Sequence, residues 1–437
     1  FVVLQRIRDL IEHGSTFDQA LDVIRQTTIF TTHTPVPAGH DAFPFHLVER
    51  HLAGCWGTLG SNRDAFLALG AHDNGGGPQF NMTALALRSA GKVNAVSELH
   101  GAVTRGMWDM WPGLSERDRP VVSLTNGVHV PTWIAGEMAS LFDVYLGPGW
   151  LEHHDDPAVW DGVQAIPDEE LWRVRQALRG YLFTFVRERA RQRWTEERVG
   201  IPRVVAAGTL LDPDALTLGF GRRFAGYKRP ELIFYDPERL ARILNAVGRP
   251  VQIVFAGKAH PADDIGKHHL QRVYRRALDP LFGGRVAFVD DYDLHVAHFL
   301  VQGCDVWLNN PRKPMEASGT SGMKAAINGV PHLSIGDGWW AEGFTGANGW
   351  LIEGGARHDD YEAADAADAN ALYRLLEEEV VPAFYDRDGS KIPRRWMRVV
   401  KEAIRTVAPR FSARRMVKEY VEKMYAPALE SRSRSEV

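Results

Sequence analysis

Asp305-Val306-Trp307-Leu308-Asn309-Asn310, followed closely by Glu316-Ala317-Ser318-Gly319-Thr320-Ser321-Gly322-Met323-Lys324-Ala325-Ala326-Ile327, decides the fold of this 437-residue chain. The first run is a short apolar strand ending in two amides, and the second is a small-residue turn opening an apolar helix. Strand, polar loop and helix in that order make the repeating unit of a parallel sheet covered on both faces.

The same alternation extends outward from Ala215. Apolar runs predict strands at Leu216–Gly219, Val251–Phe255, Val286–Val289, Asp305–Leu308 and His332–Ile335, with helical segments at 229–246, 262–278, 293–303 and 320–329 between them. Such alternation implies a doubly wound α/β domain, whose ligands bind beyond the carboxyl ends of the strands. Those ends carry Arg222-Arg223, Gly257-Lys258, Asp290-Asp291-Tyr292, Asn309-Asn310 and Asp337-Gly338.

Upstream the patterning differs. Residues 1 to about 145 mix helical periodicity with loops rich in His, Thr, Pro and Gly, among them 73–78, while Asn81–Leu87 reads as a buried helix. Asp168 to about Arg198 shows helical spacing of Leu171, Trp172, Leu178, Leu182 and Val186 and is expected to connect two domains. The expected division is therefore 1–198, 199–410 and a terminal segment 411–437. In that last segment Ser412 to Tyr425 forms a basic amphipathic helix and Ser431 to Ser435 a disordered tail. The chain opens at Phe1 inside a helical pattern, the look of a piece of a longer protein.

Bulk properties bound the function. The formal net charge of −4 argues against a nucleic-acid binder. Two cysteines, Cys55 and Cys304, lie far apart and suit a reducing cytoplasm, and no apolar run approaches the roughly 20 residues that span a bilayer. His153-His154 and His268-His269 lack metal-ligand spacing, because adjacent His residues on a helix point apart.

Several constellations carry chemistry. At 318–322 small residues uncover backbone N–H groups before a helix, a setting that favours a phosphate, with the amine of Lys324 one turn further on and Glu316 on the incoming loop. An ordinary capped turn has the same composition, so the reading depends on its company. Gly219-Phe220-Gly221-Arg222-Arg223-Phe224-Ala225-Gly226-Tyr227-Lys228-Arg229 places four cations beside three glycines at a strand end, suited to a dianion or to a solvated basic turn. Two anion sites would mean two phosphates. His33, between Thr32 and Thr34 in a proline-bracketed loop, is either structural or a contact to a hydroxylated ligand. Asn94 and Glu98 are read as one helical face, where a buried Asn must be paired within the fold or to a ligand. Trp339-Trp340 would stack on a sugar or fill the core.

The segments THTPVPAGHD (32–41), NMTALALRSAGKVNAVSELH (81–100), TNGVHVPTW (125–133), RRFAGYKR (222–229) and NNPRKPMEASGTSGMKAAINGVPHLSIGDGWW (309–340) together resemble the α-glucan (glycogen/maltodextrin) phosphorylases, the shorter bacterial branch above all. The resemblance implies a GT-B fold: a C-terminal doubly wound parallel-sheet domain with pyridoxal 5′-phosphate, plus the incomplete remainder of an N-terminal α/β domain. By resemblance Lys324 forms the Schiff base, while Thr320, Ser321 and Arg222 hold the cofactor's phosphate and Tyr292 lies near it. Arg223 and Lys228 would grip inorganic phosphate. His33, Asn94, Glu316, Ser318 and Gly319 would bond the transferred glucosyl unit, so the expected catalytic set is Lys324, Arg223, Lys228 and His33.

The implied reaction is retaining phosphorolysis of α-1,4-glucan (glycogen or maltodextrin) to α-glucose 1-phosphate. The implied partners are therefore glucan, inorganic phosphate and glucose 1-phosphate, with neither nucleic acid nor membrane, and a homo-oligomer is compatible. The sequence departs from the long, regulated branch at Phe224-Ala225-Gly226-Tyr227, where that branch has a His-Glu pair. It departs again at Ser321-Gly322 and at Asp293, and the family's glycine-rich phosphate-covering loop is not found. Two rival readings are a nucleotide-sugar-dependent retaining GT-B glycosyltransferase, which needs no lysine at 324, and a non-catalytic glucan-binding remnant.

Overall fold

A computed structural model describes residues 1–53, 62–73, 77–108, 121–196, 211–355 and 360–435. Cys55, the middle of the 73–78 loop and the expected boundary at 198 lie outside the described residues. The chain divides into two compact units, Phe1–Thr125 with Met416–Val437, and Asn126–Arg415. This corrects the expected boundary. The long helix Asp168–Glu196 belongs to the second unit, because its inner face is committed there. Buried Arg175 donates to the carbonyls of Gln302, Cys304 and Asn328, and Arg179 pairs with buried Asp305 at 3.1 Å. A helix stitched to one sheet by buried ionic bonds is part of that domain.

The second unit is an α/β domain around six parallel strands: β1 (Leu216–Gly221), β2 (Val251–Ala256), β3 (Val286–Val289), β4 (Val306–Asn309), β5 (His332–Ile335) and β6 (Gly349–Ile352). Their order across the sheet is β6-β5-β4-β1-β2-β3. Every residue of β1 and β2 is buried, which is why these strands read as unbroken apolar runs rather than alternating ones. β6 is not among the strands the sequence predicts, because Gly349-Trp350-Leu351-Ile352 opens on a glycine and offers only three apolar residues. The order reverses direction between β1 and β4, so the crevice beyond their carboxyl ends lies at a topological switch point.

Two helical expectations shrink. Residues 229–246 form one 3-10 turn, Leu232–Phe234, and an α-helix only over Pro237–Leu244, and Arg229, which closes the preceding 3-10 turn Gly226–Lys228, adopts the left-handed region at φ 43°. The 320–329 segment is helical over Ser321–Ala326 alone.

The first unit carries a small parallel sheet in the order Ile29–Thr31, Lys92–Ala95, Val121–Ser123, and an antiparallel one in the order Ala42–Phe43, Pro78–Asn81, Ala71–Asp73. Its helix Phe17–Thr27 is closed by a capping box between Thr16 and Gln19, and Met82–Ser89 by the Asn81 side chain. Asn94 therefore sits on a strand and Glu98 starts the next helix, so the expected shared helical face does not exist. Val93-Asn94-Ala95 is short and central, and parallel pairing on both sides decides its state. The terminal segment is helical further than expected: Ala413–Tyr420 and a wide turn at Val421–Tyr425 lead into a helix over Ala426–Ser435, where a disordered tail was read. No described helix is long and apolar enough to cross a membrane.

Candidate functional site

At the switch point, the chain leaving β1 and the chain leaving β4 meet through one carboxylate. Glu316 is buried and accepts from Lys228 Nζ at 2.8 and 3.0 Å and from Arg222 Nη1 at 3.3 Å. Burial opposes its ionisation, but the neighbouring ammonium and guanidinium outweigh that and hold the carboxyl below its usual range. Lys228 is pushed down to about 8 by burial, with Glu316 pulling the other way. Its ammonium also lies 4.7 Å from the centre of the Tyr227 ring. Next in sequence, Arg229 fixes this corner. Its guanidinium donates to Asp365, to Asp368 and to the carbonyls of Asn310 and Pro311, while Asn310 Nδ2 donates back to the Arg229 carbonyl at 2.6 Å. The sequence puts Arg229 among the four cations of this strand end but does not point to its acidic partners, because their partnership spans about 136 residues.

Arg222 also reaches the turn before the short helix. Ser321 Oγ accepts from Arg222 Nη2 at 3.4 Å and from Trp307 Nε1 at 3.0 Å. Tyr292 Oη donates to the Gly221 carbonyl at 3.3 Å, and burial raises its phenol. Arg223 is exposed and has no ion-pair partner among the described residues. Within the second unit, then, Arg222, Lys228, Glu316, Ser321 and Tyr292 gather around one strand-end crevice.

Around this cluster the structure leaves polar groups without partners. Arg222 Nε, Ser318 Oγ and the Oδ1 atoms of Asn309 and Asn310 are buried and bond to nothing among the described residues. The backbone amides of Gly319, Thr320, Ser321 and Gly322 likewise find no acceptor there. Buried side-chain polar groups left unpaired in such numbers are rare in finished cores and mark a place where another molecule supplies the partners. Lys324 completes the picture. It is half-buried and its pKa is lowered by that burial, it forms no ion pair among the described residues, and its ammonium sits 3.7 Å from the centre of the Trp133 ring. Asn328 holds this arrangement, donating to both the Trp133 and Lys324 carbonyls at 2.9 Å. Trp133 was missed as a site residue, although it stands at the end of the quoted TNGVHVPTW segment.

Gly322 has a positional reason. A Cβ there would lie 2.6 Å from the His332 ring and 2.9 Å from Trp339, so only glycine lets the turn sit on the sheet. His332 is fully buried with both ring nitrogens unpartnered and is held neutral by burial, down to about 3. Trp339 and Trp340 pack in the core, with ring centres 5.0 Å apart, and offer no face to a sugar. Burial pushes the carboxyl of Asp337, which faces the Glu316 loop, up to about 7.

Two expected site residues lie in the first unit. His33 is exposed on its loop. Asn94 is fully buried and spent internally: Oδ1 accepts from Thr31 Oγ1 at 2.8 Å, and Nδ2 donates to Tyr420 Oη at 2.7 Å and to the Ala95 carbonyl at 3.2 Å. Its side chain is thus already paired within the first unit, and its expected bond to a glucosyl unit stays a proposal.

A family model described as carbohydrate phosphorylase matches residues 2–343. The chain is 46% identical over 432 residues to the glycogen phosphorylase of Aquifex aeolicus, covering 98% of this chain and 61% of that protein. It is also 46% identical over 430 residues to the maltodextrin phosphorylase of Thermococcus litoralis (98% and 50%), and 44% over 439 residues to the glycogen phosphorylase of Mycobacterium tuberculosis (99% and 50%). The chain thus spans about half to three-fifths of the length of the curated relatives it matches. Identity of that extent, across both units and through the strand-end cluster, establishes that the chain belongs to the carbohydrate phosphorylase family.

Proposed function

We propose that this chain is the cofactor- and phosphate-binding part of an α-1,4-glucan phosphorylase of GT-B type, an enzyme that uses inorganic phosphate to release α-glucose 1-phosphate from glucan ends. The observation that carries the reading is a half-buried amine at Lys324, with no ion-pair partner among the described residues, beside four acceptor-less amides at 319–322. Amine and amide cradle fit pyridoxal 5′-phosphate, a ligand with one aldehyde and one dianionic tail. Lys324 would anchor it covalently. Thr320, Ser321, the four amides and Arg222 would hold its phosphate, with Tyr292 closing the strand-end side. When bound, that phosphate supplies proton donation and acceptance next to the substrate phosphate.

The chain's own residues do the rest. Lys228 and the unpaired Arg223 bind inorganic phosphate, and with Arg222 they offset the repulsion between two neighbouring dianions. Glu316, already fixed by Lys228 and Arg222, accepts hydrogen bonds from glucosyl hydroxyls, and Ser318 Oγ and the Gly319 amide add partners. In the overall exchange the glycosidic C–O bond breaks, its oxygen takes a proton, and a phosphate oxygen joins the anomeric carbon on the same face. No Asp/Glu acid–nucleophile pair is required. A nucleotide-sugar transferase would leave Lys324 without a task.

Incubated with pyridoxal 5′-phosphate, the chain should acquire a near-ultraviolet band that borohydride fixes on Lys324, and Lys324→Ala should lose both the band and phosphorolysis of maltodextrin. Equal cofactor retention by Lys324→Ala refutes the assignment.

A further inference from the structure

The loop that carries Glu316 and Ser318 is held from one side by the turn after β5. Asp337 Oδ2 accepts from the Glu316 amide at 2.9 Å, and Trp339 N–H donates to the Ser318 carbonyl at 2.8 Å. Between these two bonds stands Gly338 at φ 54°, where a Cβ would lie 2.3 Å from the Ser318 carbonyl oxygen and 3.1 Å from that of Glu316. Contact this close tolerates no side chain, and the left-handed backbone independently asks for glycine. All of Glu316, Ser318, Asp337 and Trp339 are buried.

We propose that Asp337-Gly338-Trp339 is a positioning clamp, in which Asp337 sets the aim of Glu316 and Ser318 without itself touching substrate. The inference rests on the glucan-contact role given above to those two residues. The chemistry of the anchor is specific. Asp337 uses both oxygens on backbone amides, Oδ2 toward Glu316 and Oδ1 toward Gly338 at 2.8 Å. An asparagine has the same size but a single acceptor, so one amide would face an NH₂ group instead. Two bonds placed two residues apart leave the 316–318 backbone little freedom to rotate. The side chain of Glu316 then meets Lys228 and Arg222 at the distances observed, and Ser318 Oγ stays buried and open for a ligand.

Hydrogen exchange on the whole chain tests this directly. Asp337→Asn should speed exchange of the 316–319 amides by about tenfold or more while strand 332–335 keeps its protection. Gly338→Ala should loosen the same segment by a different route, should the first variant fold poorly. Unchanged exchange at 316–319, or loss of protection across the whole sheet, overturns the clamp. In the phosphorolysis assay Asp337→Asn should lower kcat/KM for glucan about tenfold, yet cost less than about twofold when added to Glu316→Gln. Independent, multiplying losses overturn a role exerted through Glu316. Absence of phosphorolysis in the unaltered protein would count against the functional reading alone, and the exchange experiment would still decide the clamp.

Discussion

Asn94, on the central strand of the first unit's parallel sheet, and Ser318, in the loop beyond β4 of the second, are both buried polar residues, and they are treated in opposite ways. Asn94 finds Thr31, Ala95 and Tyr420, so its amide is consumed by the fold. Ser318 Oγ finds nothing, and Arg222 Nε, Asn309 Oδ1 and Asn310 Oδ1 nearby are in the same condition. A satisfied buried group reports on stability, whereas a cluster of unsatisfied ones reports on a missing ligand. The first unit does keep orphans at His40 Nε2, His100 Nε2 and Thr104 Oγ1. The cavity lined by His40 and Thr104 measures about 10 Å³, the space of one water, so solvent suffices there. Four of the second unit's orphans, Arg222 Nε, Ser318 Oγ and the Oδ1 atoms of Asn309 and Asn310, instead stand at one strand-end cluster.

That contrast can be broken by substitution. The largest effect is expected for Lys228→Met, which leaves the buried Glu316 carboxylate leaning on Arg222 alone. Stability should fall by about 3 kcal/mol, read from urea unfolding, and a loss under about 1 kcal/mol would mean that the pair behaves like a surface ion pair. Asn94→Ala should cost about 2 kcal/mol, because it strands the Thr31 and Tyr420 hydroxyls. Should it instead leave the melting temperature unchanged and raise the KM for glucan, Asn94 would return to the substrate set.

A pH series sharpens the same point at His332. Its folded value, about 3, lies below the ordinary 6.5 of a free imidazole, so its contribution is complete above 6.5 and is lost as the pH falls from there toward 3. Relative to His332→Leu, the unaltered protein should lose at most about 1.4 kcal/mol per pH unit across that window. A flat difference would show the ring to be solvated or charged. Ser318→Ala should have the smallest effect on stability, between no change and a gain of about 1 kcal/mol, since it removes an unpaired hydroxyl. A clear loss of stability would give Ser318 a hidden structural partner and remove it from the site.

Much of the second unit was legible because its physics is local. Strands buried on both faces must be apolar throughout, and each ends in a polar turn, so five of the six strands and the polar strand ends announce themselves in the sequence. The Gly219–Arg229 and Glu316–Lys324 stretches stood out for the same reason: cations and small residues are expensive beside buried strands unless they are used. What stayed hidden depended on distance along the chain. Asp337 meets Glu316 across 21 residues, Arg229 meets Asp365 and Asp368 across 136 and 139, and Trp133 meets Lys324 only because Asn328 ties them. Local periodicity also misplaced Asn94, since four residues flanked by parallel neighbours obey their pairing rather than a helical spacing.

By itself, the amino-acid sequence determined the α/β character, the apolar strands of the second unit and the residue types gathered at their carboxyl ends, because burial on both faces of a sheet constrains composition position by position. The tertiary structure alone decided which of those polar groups are spent and which are free. Hydrogen bonding is a matter of contact, and an Asn or a Ser has the same side chain whether Tyr420 lies 2.7 Å away or nothing does.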